Sequence, residues 1–310
     1  MRKDGCDRVG PRLVFPRKKK YRRGAAGIDA REPPIFSLIR TLHGREEQTM
    51  DLRIAGKNAL VLGGSKGLGR GVAQALAAEG VAVAILARGQ EAIDKTVGEI
   101  NGAGGRAIGI AADLADWPSI AHAVEVTRQK LGPIDILLNN SGGPPPSPVI
   151  GVAPELWEAQ FRQMVLVLFR LTDLVLPDMR AKKWGRIINV ASESVVQPIA
   201  IIGISNTLRA SVVGWAKTLS GEVARDGITV NTMLPGPFAT DRIAQVAKMR
   251  AQKENISVEE INKRLANQVP VGRIGDPAEF GAIAAFLASP LAAYITGSMI
   301  RVEGGTIKSI

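Results

Sequence analysis

Beyond about residue 58 the chain alternates two hydrophobic rhythms. Short, continuous apolar runs stand at 58–62, 81–87, 106–111, 134–138, 186–190, 228–234 and 299–302. Between them the apolar residues recur every three or four positions: Val72, Ala73, Leu76 and Ala77, then Ile93, Val97 and Ile100, and later Val212, Val213 and Leu219. The first rhythm predicts strands buried on both faces, the second amphipathic helices. Punctuation agrees. Gly80 stops a helix over 67–79, and Asp116 with Pro118 opens one ending near Leu131. Pro154 opens a long helix reaching about Met179, 241–268 is helical, and Asp276-Pro277-Ala278-Glu279 is a capping box before the last helix. Strands of this kind separated by helices predict a doubly wound, seven-stranded parallel sheet with helices on both faces and right-handed crossovers.

In such a sheet a ligand lies beyond the carboxyl ends of the strands, so the residues closing each strand carry the chemistry. The first strand ends in Gly63-Gly64-Ser65-Lys66-Gly67-Leu68-Gly69 and runs into a helix. Glycines let the backbone approach a pyrophosphate, and the helix N-terminus offers free N–H groups and partial positive charge. The second strand ends in Ala87-Arg88, where no carboxylate is present to hold ribose hydroxyls. Arg88, with Lys66 nearby, suits a 2′-phosphate, so NADP is expected over NAD. After the third strand Asp113-Leu114 offers a carboxylate to an adenine amino group. After the fourth come Asn139-Asn140-Ser141-Gly142-Gly143 and three prolines, and after the sixth Pro235-Gly236-Pro237, with Thr240 beyond.

Composition narrows the class. Of the net charge of +11, residues 1–49 hold +7, from 13 Lys/Arg against 6 Asp/Glu. That segment has no sustained periodicity and reads as a basic, solvated tail; the rest of the chain, 50–310, forms one domain with no need of a nucleic-acid partner. The longest apolar stretch, 164–169, is cut off by Arg170 and is far too short for a membrane span. Cys6 is the only cysteine, which leaves neither an internal disulfide nor a zinc cluster and suits a reducing cytoplasm.

Taken together, Gly64-x-x-Gly67-x-Gly69, Asp113, Asn139-Asn140-Ser141-Gly142, Asn189-Val190-Ala191-Ser192, Pro235-Gly236 and Val302-Glu303-Gly304-Gly305 closely resemble the short-chain dehydrogenase/reductase family over about 52–305. The layout is most similar to its 3-oxoacyl-acyl-carrier-protein reductase and glucose dehydrogenase branches. The resemblance implies a Rossmann fold, a nicotinamide cofactor, a carbonyl or alcohol substrate, a substrate lid over 239–268, and a homotetramer or homodimer built on the helices at 154–179 and 205–223. It also implies a catalytic Ser, Tyr, Lys and Asn, and here the chain departs. Ser192 stands at the Ser position, but Ser205 stands where the Tyr belongs, Arg209 where the Lys belongs, and Met164 where the Asn belongs. A serine hydroxyl is a far weaker acid than tyrosine, and an arginine stays charged. The expected activity is therefore NADP-dependent hydride transfer with an unusual proton donor, water or Glu193. The alternatives are an NADP-binding sensor or inactive partner subunit, or a pocket rebuilt for another reaction.

Overall fold

A computed structural model describes residues 50–310. The basic segment 1–49 lies outside the described residues.

The strand β1 (Asn58–Leu62) shows why the fold forms. Its alternate side chains point to opposite faces, and both faces are covered. Leu60 and Leu62 enter one core cluster, while Ala59 and Val61 enter the other. In β2 (Ala82–Ala87), Ala84 and Leu86 go one way and Val83 and Ile85 the other. The sheet is completed by β3 (Arg106–Ala111), β4 (Ile136–Asn139), β5 (Gly185–Val190), β6 (Ile228–Pro235) and β7 (Met299–Val302). All pairs are parallel, in the order β3-β2-β1-β4-β5-β6-β7. The chain reverses its direction of growth between β1 and β4, and this switch point opens a crevice at the strands' carboxyl ends.

On one face lie α1 (Gly67–Ala78), α2 (Gln90–Gly102) and α9 (Pro277–Leu287). On the other lie α3 (Trp117–Leu131), α5 (Val167–Lys182) and α6 (Gly203–Val223). The helix expected over 154–179 is one continuous run but not one regular helix. It comprises α4 (Pro154–Phe161), a π-helical turn (Arg162–Leu166) and α5, and it stops where Lys183 adopts φ +48°. The helical region at 241–268 is α7 (Asp241–Glu254) and α8 (Val258–Gln268), broken at Asn255 (φ +51°) and restarted by the Ser257 cap. The fourth strand begins at Ile136 rather than 134; just before it Asp135 accepts from the Asn58 N–H and from Lys182. Among the described residues no helix is long and apolar enough to cross a membrane.

Candidate active site

The glycine turn is held from three sides. Gly63 adopts φ +62°, and a Cβ there would lie 2.7 Å from Asn140 Nδ2. A Cβ on Gly69 would lie 2.2 Å from the Gly63 carbonyl oxygen, and one on Gly64 3.0 Å from Val61. Glycine is therefore required at 63 and 69 by the protein's own packing, whatever is bound. From below, Asn140 Nδ2 donates to the Leu62 carbonyl (3.2 Å). From the side, the buried Thr96 hydroxyl donates to the Ser65 carbonyl (3.0 Å). From above, a Cβ on Gly67 would meet the Thr240 methyl at 3.0 Å, so the start of α7 sits against the turn. Leu68 turns inward and packs on the core.

Asn139 and Asn140 pin the neighbouring strands in opposite directions. Buried Asn139 donates to Asn189 Oδ1 on β5 (2.9 Å) and to the Thr172 hydroxyl (3.1 Å), while Asn140 reaches back to β1. Ser141 Oγ donates to the Met164 carbonyl in the π turn (3.3 Å), where the displaced helical register leaves an acceptor to be satisfied. Gly236 is pressed against Glu303, whose Cα a Cβ would meet at 2.8 Å, and its N–H donates to the Val302 carbonyl (3.0 Å). Pro235 closes β6 beside it, and Thr240 caps α7 through its hydroxyl.

A cavity of about 640 Å³ opens at the switch point. Of the residues expected at a cofactor, Ser65, Lys66, Arg88, Asp113, Leu114, Asn140 and Gly142 line it. Gly64, Gly67, Leu68, Gly69, Ser141, Arg209, Pro235, Gly236 and Thr240 do not; they build the walls behind the lining or stand outside it. Glu91, Gln160 and Gln163 line the cavity and were missed, since nothing in their local sequence marks an exposed helical residue as facing a cleft. Asp113 uses one carboxylate oxygen on the Ala115 N–H (3.0 Å), which leaves the other available. Lys66 Nζ lies 3.5 Å from the Asp241 carboxylate.

A dinucleotide fits these residues on structural grounds. The Lys66 side chain makes no cap on α1, so the first-turn N–H groups have no side-chain acceptor. A Cβ on Gly142 would meet nothing within 4 Å, which leaves an open floor in the cavity where a flat ligand can lie.

The residues expected to be catalytic are only partly brought together. Arg209 Nε donates to buried Ser205 Oγ (3.2 Å), Nη1 to the Val190 carbonyl (3.1 Å), and Nη2 to the Ser141 and Gly142 carbonyls (3.5 and 3.4 Å). The guanidinium is thereby fixed at the adjoining ends of β4 and β5. Burial, and after it the Arg242 cation, pull it down to about 10, so it is still charged at neutral pH. No hydrogen bond joins Ser192 to either residue; its Oγ accepts from the Ser194 N–H (3.1 Å) and caps a short 3-10 turn, Glu193–Val195. Glu193 turns away from Arg209 to accept from the Thr306 hydroxyl. Burial raises its carboxyl above the ordinary range, the Thr306 hydrogen bond opposes this, and Glu303 adds to it. Among the described residues no hydrogen bond joins Glu193 to Arg209, Ser205 or Ser192. Tyr294, the only tyrosine among the described residues, is fully exposed in the turn before the edge strand β7.

Residues 63–306 match the family described as Enoyl-(Acyl carrier protein) reductase. A putative ketoacyl reductase of Streptomyces coelicolor is 35% identical over 80% of this chain and 95% of its own. A 3-oxoacyl-acyl-carrier-protein reductase of Vibrio cholerae is 37% identical over 82% of this chain and 98% of its own. The L-sorbose reductase of Gluconobacter frateurii, solved with NADPH and L-sorbose, superposes with a TM-score of 0.81 at 31% identity, over 84% of this chain and 100% of its own. The cleft geometry and these similarities agree: the chain belongs to the short-chain dehydrogenase/reductase family and is an NAD(P)-dependent oxidoreductase acting on the CH–OH/C=O couple.

Proposed function

We propose that the chain is an NADP-dependent carbonyl reductase or alcohol dehydrogenase in which a fixed arginine replaces the family's tyrosine–lysine pair and water supplies the proton. The observation that carries this is the Arg209 guanidinium, locked by the Val190, Ser141 and Gly142 carbonyls where the nicotinamide ribose and the reacting carbonyl belong in this family. Bound NADPH supplies a hydride. As the carbonyl carbon receives it, the C=O electron pair moves onto oxygen, and the cation of Arg209 with the hydroxyls of Ser192 and Ser205 stabilises the negative charge. The alkoxide then takes a proton from water, leaving hydroxide. General acid catalysis is worth about a hundred- to ten-thousand-fold, so a poor donor slows the reaction without removing the electrostatic part.

Preference for NADP is supported by Lys66 and Arg88, two cations lining the cavity where no carboxylate follows the second strand directly. The pair α7–α8 is read as a substrate lid over 239–268, tied to the cleft through Lys66–Asp241 and through Arg242, which donates to the Pro144 carbonyl (2.9 Å). Leu156, Phe161 and Leu166 expose apolar side chains along α4 and the π turn, which supports a homodimer or homotetramer that covers part of this segment.

Titration with NADPH and NADH, followed by a carbonyl and alcohol panel on wild type, Ser192→Ala and Arg209→Ala, tests the reading. Tighter binding of NADPH and turnover lowered at least tenfold by Arg209→Ala are expected. Tight NADPH binding without turnover would replace it with a sensor or inactive partner subunit; no binding of either cofactor would sink it altogether.

A further inference from the structure

Arg242, the second residue of α7, brings its guanidinium beside that of Arg209 at Gly143 and Pro144, which line the cavity, although neither arginine lines it itself. A methyl group on Gly143 would lie 3.7 Å from Arg209 Nη2 and 3.8 Å from Arg242 Nη2. Both terminal nitrogens therefore reach the same point above Gly143, which itself lines the cavity. Among the described residues neither guanidinium forms an ion pair. The nearest acid in sequence, Asp241, faces Lys66 instead. Neither arginine has a carboxylate partner: Arg242 donates to the Pro144 carbonyl, Arg209 to the Ser205 hydroxyl and to backbone carbonyls, and the Arg209 Nη2 contacts are long, at 3.4 and 3.5 Å. An anion would outcompete such weak acceptors, and it would relieve two like charges held side by side.

The anion is not one that the dinucleotide needs to place there. Its pyrophosphate belongs at the start of α1, against the first-turn N–H groups, and its 2′-phosphate beside Lys66 and Arg88, whereas Gly143 follows β4. What remains is the substrate. We infer that Arg209 and Arg242 form a carboxylate clamp, and that the carbonyl substrate is an oxo acid with a free carboxylate. The inference rests on the oxidoreductase reading above. A planar carboxylate has one oxygen for each terminal nitrogen, which is the geometry two convergent guanidinium groups present.

The test uses the full-length chain with NADPH and a series of 2-, 3- and 4-oxopentanoate with their methyl esters. The readout is the ratio of kcat/KM for each acid to that for its ester. At least one acid is expected to be preferred over its ester, and Arg242→Gln is expected to reduce that preference about 10- to 100-fold. Arg242→Lys should restore part of it. Arg242 is exposed on the helix surface, so the variants are expected to fold. In parallel, calorimetry of the same acids against enzyme saturated with NADP+ reads binding without turnover. Weaker acid binding in Arg242→Gln, with the NADPH Kd unchanged, supports the clamp. It is overturned if no acid binds or is preferred, or if Arg242→Gln weakens NADPH and leaves the acid-to-ester ratio unchanged, which would assign the pair to the cofactor. Acid binding without turnover of any ketone would keep the clamp and reject the reductase.

Discussion

The glycine turn can do its work only if α1 is held in place, and the structure does this by backbone contact with α9. A Cβ on Gly281 would lie 2.3 Å from the Gly71 carbonyl oxygen and 2.8 Å from its carbon; one on Gly71 would lie 2.3 Å from the Pro277 carbonyl oxygen. Consider Gly281→Ala. Two effects oppose each other. Alanine in place of a helical glycine gains about 1 kcal/mol of helix propensity. Against this, ordinary contact begins at 3.4 Å, so the helices must separate by about 1 Å. The obstacle is backbone on both sides, with no side chain to rotate away, which puts the overpacking cost at the upper end of about 1–3 kcal/mol. Steric cost wins, and a net loss of about 1–2 kcal/mol is expected. Because Gly71 lies one turn into α1, the shift is passed to Ser65–Gly69, and NADPH affinity is expected to fall about tenfold. Gly98→Ala in α2 is the control: a Cβ there meets nothing within 4 Å. It should gain about 0.5–1 kcal/mol from propensity alone. Urea denaturation, with equal m values, gives the stabilities, and NADPH fluorescence gives the affinity. If Gly281→Ala proves as stable as wild type and binds NADPH equally well, the reasoning is wrong.

Two further outcomes follow from side-chain partners. Asn139→Leu removes both donors that reach Thr172 and Asn189 and leaves Asn189 Oδ1 buried without them, so a loss of about 1–3 kcal/mol is expected in denaturant unfolding, and an unchanged midpoint would contradict the pinning of β4 to β5. The Glu279 carboxyl is held down to about 2 by Arg273 and then by the Asp276 N–H. Its stabilisation is therefore present above its ordinary value of 4.5 and lost as pH falls through about 2. The Tm gap between wild type and Glu279→Gln should be constant above about pH 5 and close toward pH 2; a gap indifferent to acid would count against the capping box.

What was legible in the sequence was whatever is decided locally. The bounds of β1, β3 and β7 coincide with the runs expected for them, even though β3 and β7 are only partly buried and carry the exposed Arg106 and Arg301. The π turn was not legible, since 164–169 is apolar throughout and reads alike in either register; Ser141, at 23 residues' distance, satisfies the displaced Met164 carbonyl. The partner of Glu193 was not legible for a similar reason. Its neighbour Ser192 faces the expected site in sequence, but the 3-10 turn that Ser192 caps aims the carboxylate at Thr306, 113 residues on. Arg242 was passed over as one charge among many in a polar helix, because its partner Pro144 is 98 residues away. Lys66 is the instructive middle case. Read as a cation for a 2′-phosphate, it instead lies beside Asp241, and one ammonium cannot serve both fully. The two side chains are 66% and 70% exposed, and such a pair is worth about 0.2–1 kcal/mol. A charge-assisted bond to a phosphate is worth about 1.5–3 kcal/mol. On the proposed NADP reading, Lys66 has only a weak surface ion pair to give up to a 2′-phosphate.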